Sequence, residues 1–577
     1  MNVLSMGLPF GQDHRVIRLF RSQRDHEIRI LAPAGARGTH EAVDYTFEPH
    51  ETAADIIQRI ARDWPPDMWL CWLPELAPPP RRMEECPVRT AALVSDWSLR
   101  YPQLAYNLAR FDLVLTDALG ERVLRPPGTK PLHLFPLYSH ISTVHRNLGL
   151  TRDINVLFVG NLNQAIHRER SRLLERLAGL SVSRRVRICG GVFGDDYALL
   201  LNRARIVFNH TLRGEMNLRC FEAPACGALV FVEESNLETR IWFADRREAV
   251  FYRPENLIEL ISYYLDHEEE RAAIAAAGEA RAAELAGEHR LDECLEALSA
   301  VPVGVRGYFR LSPEERMLAD ATQYAFDFQT PAGASAEVEL HALAENAPAD
   351  PVCPALLGYR AFERNKRLGG IEKGRELRSA LHWAGTACRR SPESATFLLN
   401  LAAVCETCGM PDQAASLLYA VSRASSLTHG FLLYGEMADP QYVQWQKALA
   451  YRNERIEMLW AMAATRLARL LINETDWEQA VEWAGRAVSW DPDVPEPYRL
   501  RAEAYAGLGR HEDAARDLEV SLGLTAFDFE RRIALARTYQ ALGRLDDLWR
   551  LAAESADLFT ALPDAGPLAE AFRALVR

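Results

Sequence analysis

A step of 34 residues recurs in the last part of the chain. Gly509 and Gly543 are 34 apart, and so are Arg510 and Arg544, Tyr505 and Tyr539, and Leu508 and Leu542. Ala480, Ala514 and Leu548 follow the same step, and Ala380 and Ala414 repeat it upstream. From Ala414 to Ala480 is 66 residues, two short of a double step, so the middle unit is irregular. Few folds tolerate such a period. Beyond about residue 350 Ala, Leu, Arg and Glu recur at helical spacing. One 34-residue helix pair is too small to bury its own apolar face, so neighbours must stack. Small residues at fixed positions let the helices of a pair approach closely.

With Asp491-Pro492 after the second helix of a pair, the pattern resembles tetratricopeptide (TPR) repeats, closely over 475–550 and more loosely before. The resemblance implies about five or six repeats between 355 and 577 and a concave surface of the kind that binds a protein or peptide. A stabilising or dimerising extension is the alternative. C-E-T-C at 405–408 is a lone C-x-x-C within this region. With no second pair at metal-like spacing it reads as a packing feature, and no metal site is expected.

The first 300 residues have a different texture. Candidate strands lie at 28–32, 68–73, 90–95, 113–116, 131–135, 154–160, 186–190, 206–209 and 228–232, with amphipathic stretches such as 167–178 between several of them. Strands separated by 10–15-residue helical segments indicate βαβ units and parallel sheets. P-P-G-T-K-P at 126–131 and the polar passage to Leu150 divide this part into two doubly wound halves. V-P-V-G-V-R-G at 301–307 reads as a connector and T-P-A-G-A-S-A at 330–336 as a loop. The expected domains are 1–145 and 146–305, both Rossmann-like, a linker and helical connector at 306–350, and the repeats at 351–577. The fold class is therefore α/β plus all-α. Trp64, Trp69, Trp72 and Trp97 cluster in the first half, where core packing outweighs a sugar platform.

Composition excludes several classes. The 66 basic and 79 acidic residues give a net charge of −13, a poor match to nucleic-acid phosphates, though a local pocket of Arg for a small anion remains open. Apolar runs are short, A-L-V-F-V at 228–232 among them, so no membrane span is expected. The N-terminal M-N-V-L-S-M-G-L-P-F has no basic region followed by a sustained apolar run, and the ten scattered Cys read as reduced thiols. Both point to the cytoplasm.

Chemistry is concentrated at 204–235, A-R-I-V-F-N-H-T-L-R-G-E-M-N-L-R-C-F-E-A-P-A-C-G-A-L-V-F-V-E-E-S. A strand ends at Asn209 in a polar loop holding His210, Arg213, Gly214 and Glu215. A helix is expected from Asn217, a good N-cap type, to Cys226, with Gly227 as its stop. Free amides at that helix start, through Asn217, Leu218 and Arg219, favour a phosphate, and Arg213 and Arg219 add charge. Glu222, three residues after Arg219, can accept both hydroxyls of a ribose. The set reads as a nucleotide-diphosphate site.

N-x-R-x-F-E-x-x-A-x-G, here Asn217, Arg219, Phe221, Glu222, Ala225 and Gly227, resembles the CgeB-like (spore maturation protein) glycosyltransferases of the GT-B fold. F-V-G-N-L at 158–162, with Gly160 and Asn161, matches further, as do Arg168 and Arg170 behind it, I-C-G-G-V-F-G-D-D-Y at 188–197 and the motif at 253–271. L-V-S-D-W-S at 93–98 and A-R-F-D-L-V-L-T-D at 109–117 fit more loosely. The resemblance implies a GT-B pair of Rossmann-like domains, the first on the acceptor side. It implies transfer of a sugar from a nucleotide-diphosphate sugar, with no cofactor and no obligatory metal, to a protein or cell-surface glycan recruited by the repeats. Arg219, with Arg168 or Arg170, would take the charge of the departing diphosphate. His210 and Asp96 are the candidates for contacting sugar or acceptor, and either serves as base if the reaction inverts. The chain departs from related retaining enzymes in two places. Gly214 stands where they carry a Glu, eight positions before Glu222, and P-L-Y-S-H-I-S-T-V-H-R at 136–146 lacks an acidic residue. A non-catalytic scaffold on a degenerate GT-B fold is the rival reading.

Overall fold

Runs such as M-W-L-C-W at 68–72 and L-V-F-V-E at 229–233 are buried at every position, as strands covered on both faces must be. They belong to two parallel sheets in a computed structural model. It describes residues 1–6, 19, 25–34, 43–48, 50–75, 78–98, 101–104, 106–124, 139–304, 307–323, 325, 331–436, 438–561 and 566–576.

The first sheet contains β1 (Asn2–Met6), β2 (Glu27–Pro33), β3 (Tyr45–Phe47), β4 (Met68–Trp72), β5 (Arg89–Leu93) and β6 (Leu113–Leu115). Their order is β3-β2-β1-β4-β5-β6, and all neighbours run parallel. The second contains β7 (Ile154–Val159), β8 (Val186–Cys189), β9 (Ala204–Phe208), β10 (Leu229–Glu233) and β11 (Val250–Tyr252). Its order is β11-β10-β9-β7-β8, again parallel. Three strands were not anticipated. β3 and β11 have three residues each, too few to display a period, and β1 is the extreme N-terminus, where N-V-L-S-M mixes polar and apolar residues. The strand expected at 131–135 lies outside the described residues.

Strand order locates the ligand-binding edge. In the second sheet the chain moves from β7 to β8 on one side, then returns to place β9, β10 and β11 on the other. The crossovers therefore diverge between the carboxyl ends of β7 and β9, and such a switch point leaves an open crevice where ligands bind. In the first sheet the equivalent gap lies between β1 and β4.

The remaining elements are mainly helices paired as the 34-residue step requires: Trp477–Trp490, Pro495–Gly507, His511–Gly523, Phe529–Leu542 and Leu545–Ala561 in succession. Gly509 and Gly543 have φ of +74° and +70°, the left-handed turn that ends the first helix of each pair. Ala380, Ala414, Ala480 and Ala514 are fully buried where helices cross. The architecture is a pair of Rossmann-like sheets of GT-B type followed by TPR-like helices. Residues 331–336, expected as a loop, begin the helix Pro331–Asn346. Pro331 occupies the first helical position, where no N–H is needed, so it starts the helix rather than interrupting it.

Two compact units result, residues 1–135 with 293–470 and residues 136–292 with 471–577. In the first, Ala450 and Tyr451 join the core of β1, β4 and β5, with Trp64, Trp69 and Trp97 inside it. The buried Arg110 pairs with Glu84 and, from the helix Pro313–Thr322, with Asp320, each at 2.5 Å. In the second, Leu558 and Ala561 pack into the core of β7, β9 and β10. Arg532 pairs with Glu175 at 3.0 Å, and Glu175 also accepts the Phe527 N–H at 2.7 Å. Each sheet thus has repeat helices in its own core. No described helix is long and apolar enough to cross a membrane.

Candidate functional site

Two guanidinium groups span the switch point of the second sheet. Arg219 donates from Nη2 to the Val159 carbonyl at the end of β7 (2.6 Å) and from Nη1 to Asn209 Oδ1 just past β9 (2.7 Å). Arg170, from the helix Arg168–Ala178, does the same further out: Nη2 donates to the Asn161 carbonyl and Nη1 to the His210 carbonyl (3.4 Å). Both lie against the Phe158 ring, at 4.6 and 5.1 Å from its centre. They are 9% and 5% exposed, and among the described residues neither is in an ion pair. Burial, and then the field of Arg219, lower the Arg170 pKa. A guanidinium nevertheless keeps its proton in proteins. An incoming anion would relieve the unfavourable pairing of two buried cations.

The surroundings supply little countercharge. Glu215 and Glu233 act on Arg170 at longer range, but each is engaged elsewhere. Glu215 accepts the N–H groups of Leu212 (3.1 Å) and Arg213 (2.5 Å). Glu233 holds the Thr211 N–H (2.9 Å) and hydroxyl, and burial raises its pKa towards the neutral form. Asn217 donates to Asn209 Oδ1 at 2.8 Å, while its own Oδ1 is buried without a hydrogen-bond partner.

The sequence candidates separate accordingly. Gly160, Asn161, Arg170, His210, Asn217 and Arg219 come together here. A Cβ at Gly160 would lie 2.6 Å from Arg219 Nη2 and 3.1 Å from Phe158 Cζ, so only glycine leaves room for the guanidinium. Arg168, two residues from Arg170, emerges on the far side of its helix and donates to the Leu524 carbonyl at 3.0 Å. Of the two alternatives, Arg170 is the one in the crevice. Arg213 lies half-buried in the 211–215 loop. The helix expected from Asn217 to Cys226 spans Arg219–Ala225, with Leu218 rather than Asn217 at its cap and no side-chain capping bond. At seven residues, with Pro224 inside, it has a weak dipole, so guanidinium groups rather than amides carry the positive charge. Gly227, with φ of +74°, ends it as expected.

Glu222 is buried, 4% exposed, on the same helix. It is not open: Tyr197 lies near it, the Tyr197 pKa being raised by burial and then by the Glu222 charge, and His145 Nε2 lies 3.7 Å from its Oε1. Neither partner was singled out from the sequence, although Tyr197 ends the I-C-G-G-V-F-G-D-D-Y run and His145 lies in V-H-R. Residues more than 20 positions away cannot be assigned to one carboxylate by spacing.

His210 has a defined proton arrangement. The Tyr252 hydroxyl donates to the Asn209 carbonyl at 2.9 Å, so its oxygen is left to accept from His210 Nδ1 at 3.0 Å. The proton of neutral His210 therefore sits on Nδ1 and the lone pair on Nε2, which faces Glu169 Oε2 at 3.6 Å. The interaction with His210 lowers the Glu169 pKa, and it requires a second ring proton, on Nε2. Asp96 belongs to the first sheet, just past β5, where its N–H donates to Glu75 Oε1 at 2.9 Å. The next described helix is Tyr101–Leu104.

Among the described residues no three His, Cys, Asp or Glu side chains gather as metal ligands would, and all ten Cys are free thiols. No curated protein matches the chain at a significant level. Solved structures with a partial likeness include Anabaena HepE in complex with UDP and glucose (14% identity, 52% of this chain and 100% of that one, TM-score 0.37). Pseudomonas aeruginosa PilF (13%, 45% and 98%, TM-score 0.32) and YrrB, a TPR protein with an unusual peptide-binding site (14%, 41% and 97%, TM-score 0.27), are others. Residues 152–296, which contain the two guanidinium groups and the crevice they span, match the model of the glycosyl transferase-like family.

Proposed function

We propose that the protein transfers a hexose from a nucleotide-diphosphate sugar, held at the crevice between β7 and β9, to a protein or glycan acceptor brought by the TPR-like helices. The observation that carries this is the pair of buried, carboxylate-free guanidinium groups of Arg170 and Arg219. Such a pair matches the two charges of a diphosphate, and planar bidentate donors suit phosphate oxygens. In the reaction the bond from the anomeric carbon to the diphosphate oxygen breaks and negative charge grows on the leaving group. Fixed donors that meet this growing charge lower the barrier without needing a metal. Gly160 and Asn161 shape the phosphate pocket, Asn217 supplies an unused acceptor, and His210 Nε2 contacts the transferred sugar. Glu222 takes the ribose by turning from its neighbours Tyr197 and His145 to the two hydroxyls. The likeness to CgeB-like transferases and a cytoplasmic location, with ten free thiols, belong to the same reading.

Thermal shift of the full chain with UDP, GDP, ADP, CDP and TDP tests it. A nucleotide present at 100 times its dissociation constant stabilises by about 2.7 kcal/mol, and the matching nucleotide sugar should be slowly hydrolysed. One observation favours the rival scaffold reading: Glu222 already has internal partners. If no nucleotide stabilises the protein, the scaffold is the better account.

A further inference from the structure

Three successive residues of the loop after β9 are each held by a different buried charged side chain. Asn209 Oδ1 accepts from Arg219 Nη1 (2.7 Å), the His210 carbonyl accepts from Arg170 Nη1 (3.4 Å), and Thr211 gives its N–H to Glu233 Oε1 (2.9 Å). Glu233 ends β10 opposite Tyr252 of β11, whose hydroxyl returns to the same loop at Asn209 and His210. The carboxyl is thus bonded to the segment that seats both guanidinium groups, and all of these residues belong to one compact unit.

Its two oxygens differ. Oε1 accepts the Thr211 N–H and hydroxyl and, at 3.3 Å, the Asn236 side-chain N–H. Oε2 is buried with no hydrogen-bond partner, on a residue 3% exposed. A carboxylate with one bare oxygen inside a protein stays charged only while positive charge is near. Burial is the largest influence on Glu233 and raises its pKa, while the His210 charge and the Thr211 bonds lower it. The Glu233 charge in turn acts on Arg170. The other acidic groups of the surrounding elements are engaged. Glu215 takes the N–H groups of Leu212 and Arg213, Glu238 takes the Met216 N–H (3.0 Å), and Glu234 pairs with Arg240 (3.5 Å). Glu169, on the helix Arg168–Ala178, faces His210 from the surface. Tyr252 and Cys220 are pushed up by burial and add no charge near neutrality.

A diphosphate laid on Arg170 and Arg219 reverses this balance. It cancels the positive field that keeps Glu233 ionised and sets negative charge in its place. We propose that the crevice binds a nucleotide-diphosphate sugar together with a proton, which Glu233 takes from solvent on Oε2. The hydrogen neutralises the carboxyl on the oxygen that has no partner. Oε1 keeps its bonds to Thr211, so the loop that seats both guanidinium groups stays in place as the charge changes. Binding raises the pKa of Glu233 above its value in the free protein. Ligand affinity is therefore greatest below the free value, falls by up to about tenfold per pH unit above it, and levels off past the bound value. This coupling rests on the glycosyl-transfer reading, and its test separates the two.

UDP-glucose, GDP-mannose, ADP-glucose and dTDP-glucose are titrated by calorimetry into the full chain and into Glu233→Gln, in buffers of different protonation enthalpy from about pH 5 to about pH 9. Nucleotide sugars are the probes because their diphosphate is esterified at both ends, whereas a terminal phosphate itself titrates near about pH 6. The native protein should take up a proton from the buffer on binding, and its affinity should fall as pH rises. Glutamine keeps the Oε1 contacts and is neutral at every pH. Glu233→Gln should therefore show no uptake and a flat pH profile, and at the alkaline end it should bind roughly tenfold or more tightly than the native protein. Infrared difference spectra of the native protein check the same point without a variant: the C=O band of a buried carboxylic acid should appear on binding. Binding without proton uptake, or no new acid band, overturns the proposal. So does uptake that persists in Glu233→Gln, which would place the proton on His210 or Glu169. Weaker binding by Glu233→Gln at every pH would mark a purely structural carboxyl and overturns it as well. Binding of none of the four sugars removes the glycosyl-transfer reading itself, and the coupling with it.

Discussion

Gly160 is where one atom decides the site. Its absent Cβ leaves the space that Arg219 Nη2 occupies, 2.6 Å from where that atom would be. Its φ is not left-handed, so alanine is compatible with the backbone and only the guanidinium must move. Gly160→Ala should keep its melting temperature while nucleoside diphosphate affinity falls roughly 10-fold or more, as expected when one charged hydrogen bond to phosphate is misplaced. Unchanged affinity by titration calorimetry would show that Arg219 does not need its present seat. Arg168 teaches the complementary lesson. The sequence offered Arg168 and Arg170 as alternatives, and helix geometry separates them because residues two apart point to opposite sides. Arg168→Ala should therefore leave nucleotide affinity within twofold, since its contact is the Leu524 carbonyl.

At the scale of elements, the strand–loop–helix at 204–227 was readable because its signals are local: an apolar run, a polar loop, a helix and a glycine stop. Gly227 has φ of +74°, and a Cβ there would meet Arg152 and Asn147. Gly227→Ala should destabilise the protein by about 1–3 kcal/mol, measured as a lowered melting temperature with no change in nucleotide affinity at low temperature. Helix length was less readable. Asn217 looked like a cap, but its amide is used on Asn209 Oδ1, a residue eight positions back, and local propensity gave way to that tertiary bond. The partners of Glu222, Tyr197 and His145, arrive from other elements, and no spacing rule places them. Glu75 was missed for the same reason, since its contacts with the Ser95 and Asp96 N–H groups appear only when the end of β4 lies beside the end of β5.

Over the whole chain, the 34-residue step announced the helical repeats but not how closely they join the sheets. Leu558 and Ala561 complete the core of the second sheet, and Ala450 that of the first. A chain ended at residue 305 should therefore expose apolar surface on both units. It should aggregate or show raised proteolytic sensitivity, whereas a detachable binding module would leave a compact, monodisperse product on size-exclusion chromatography. The repeats are thus structural for the sheets whatever they also bind. The account's central claim, however, concerns the crevice. It is tested most directly by titrating nucleoside diphosphates into the native protein, Arg170→Ala, Arg219→Ala and the double variant by calorimetry. Each single change should weaken binding roughly 10- to 100-fold, with non-additive loss in the double variant because both groups serve one ligand. Equal affinity in all four proteins, or binding by none, would contradict it.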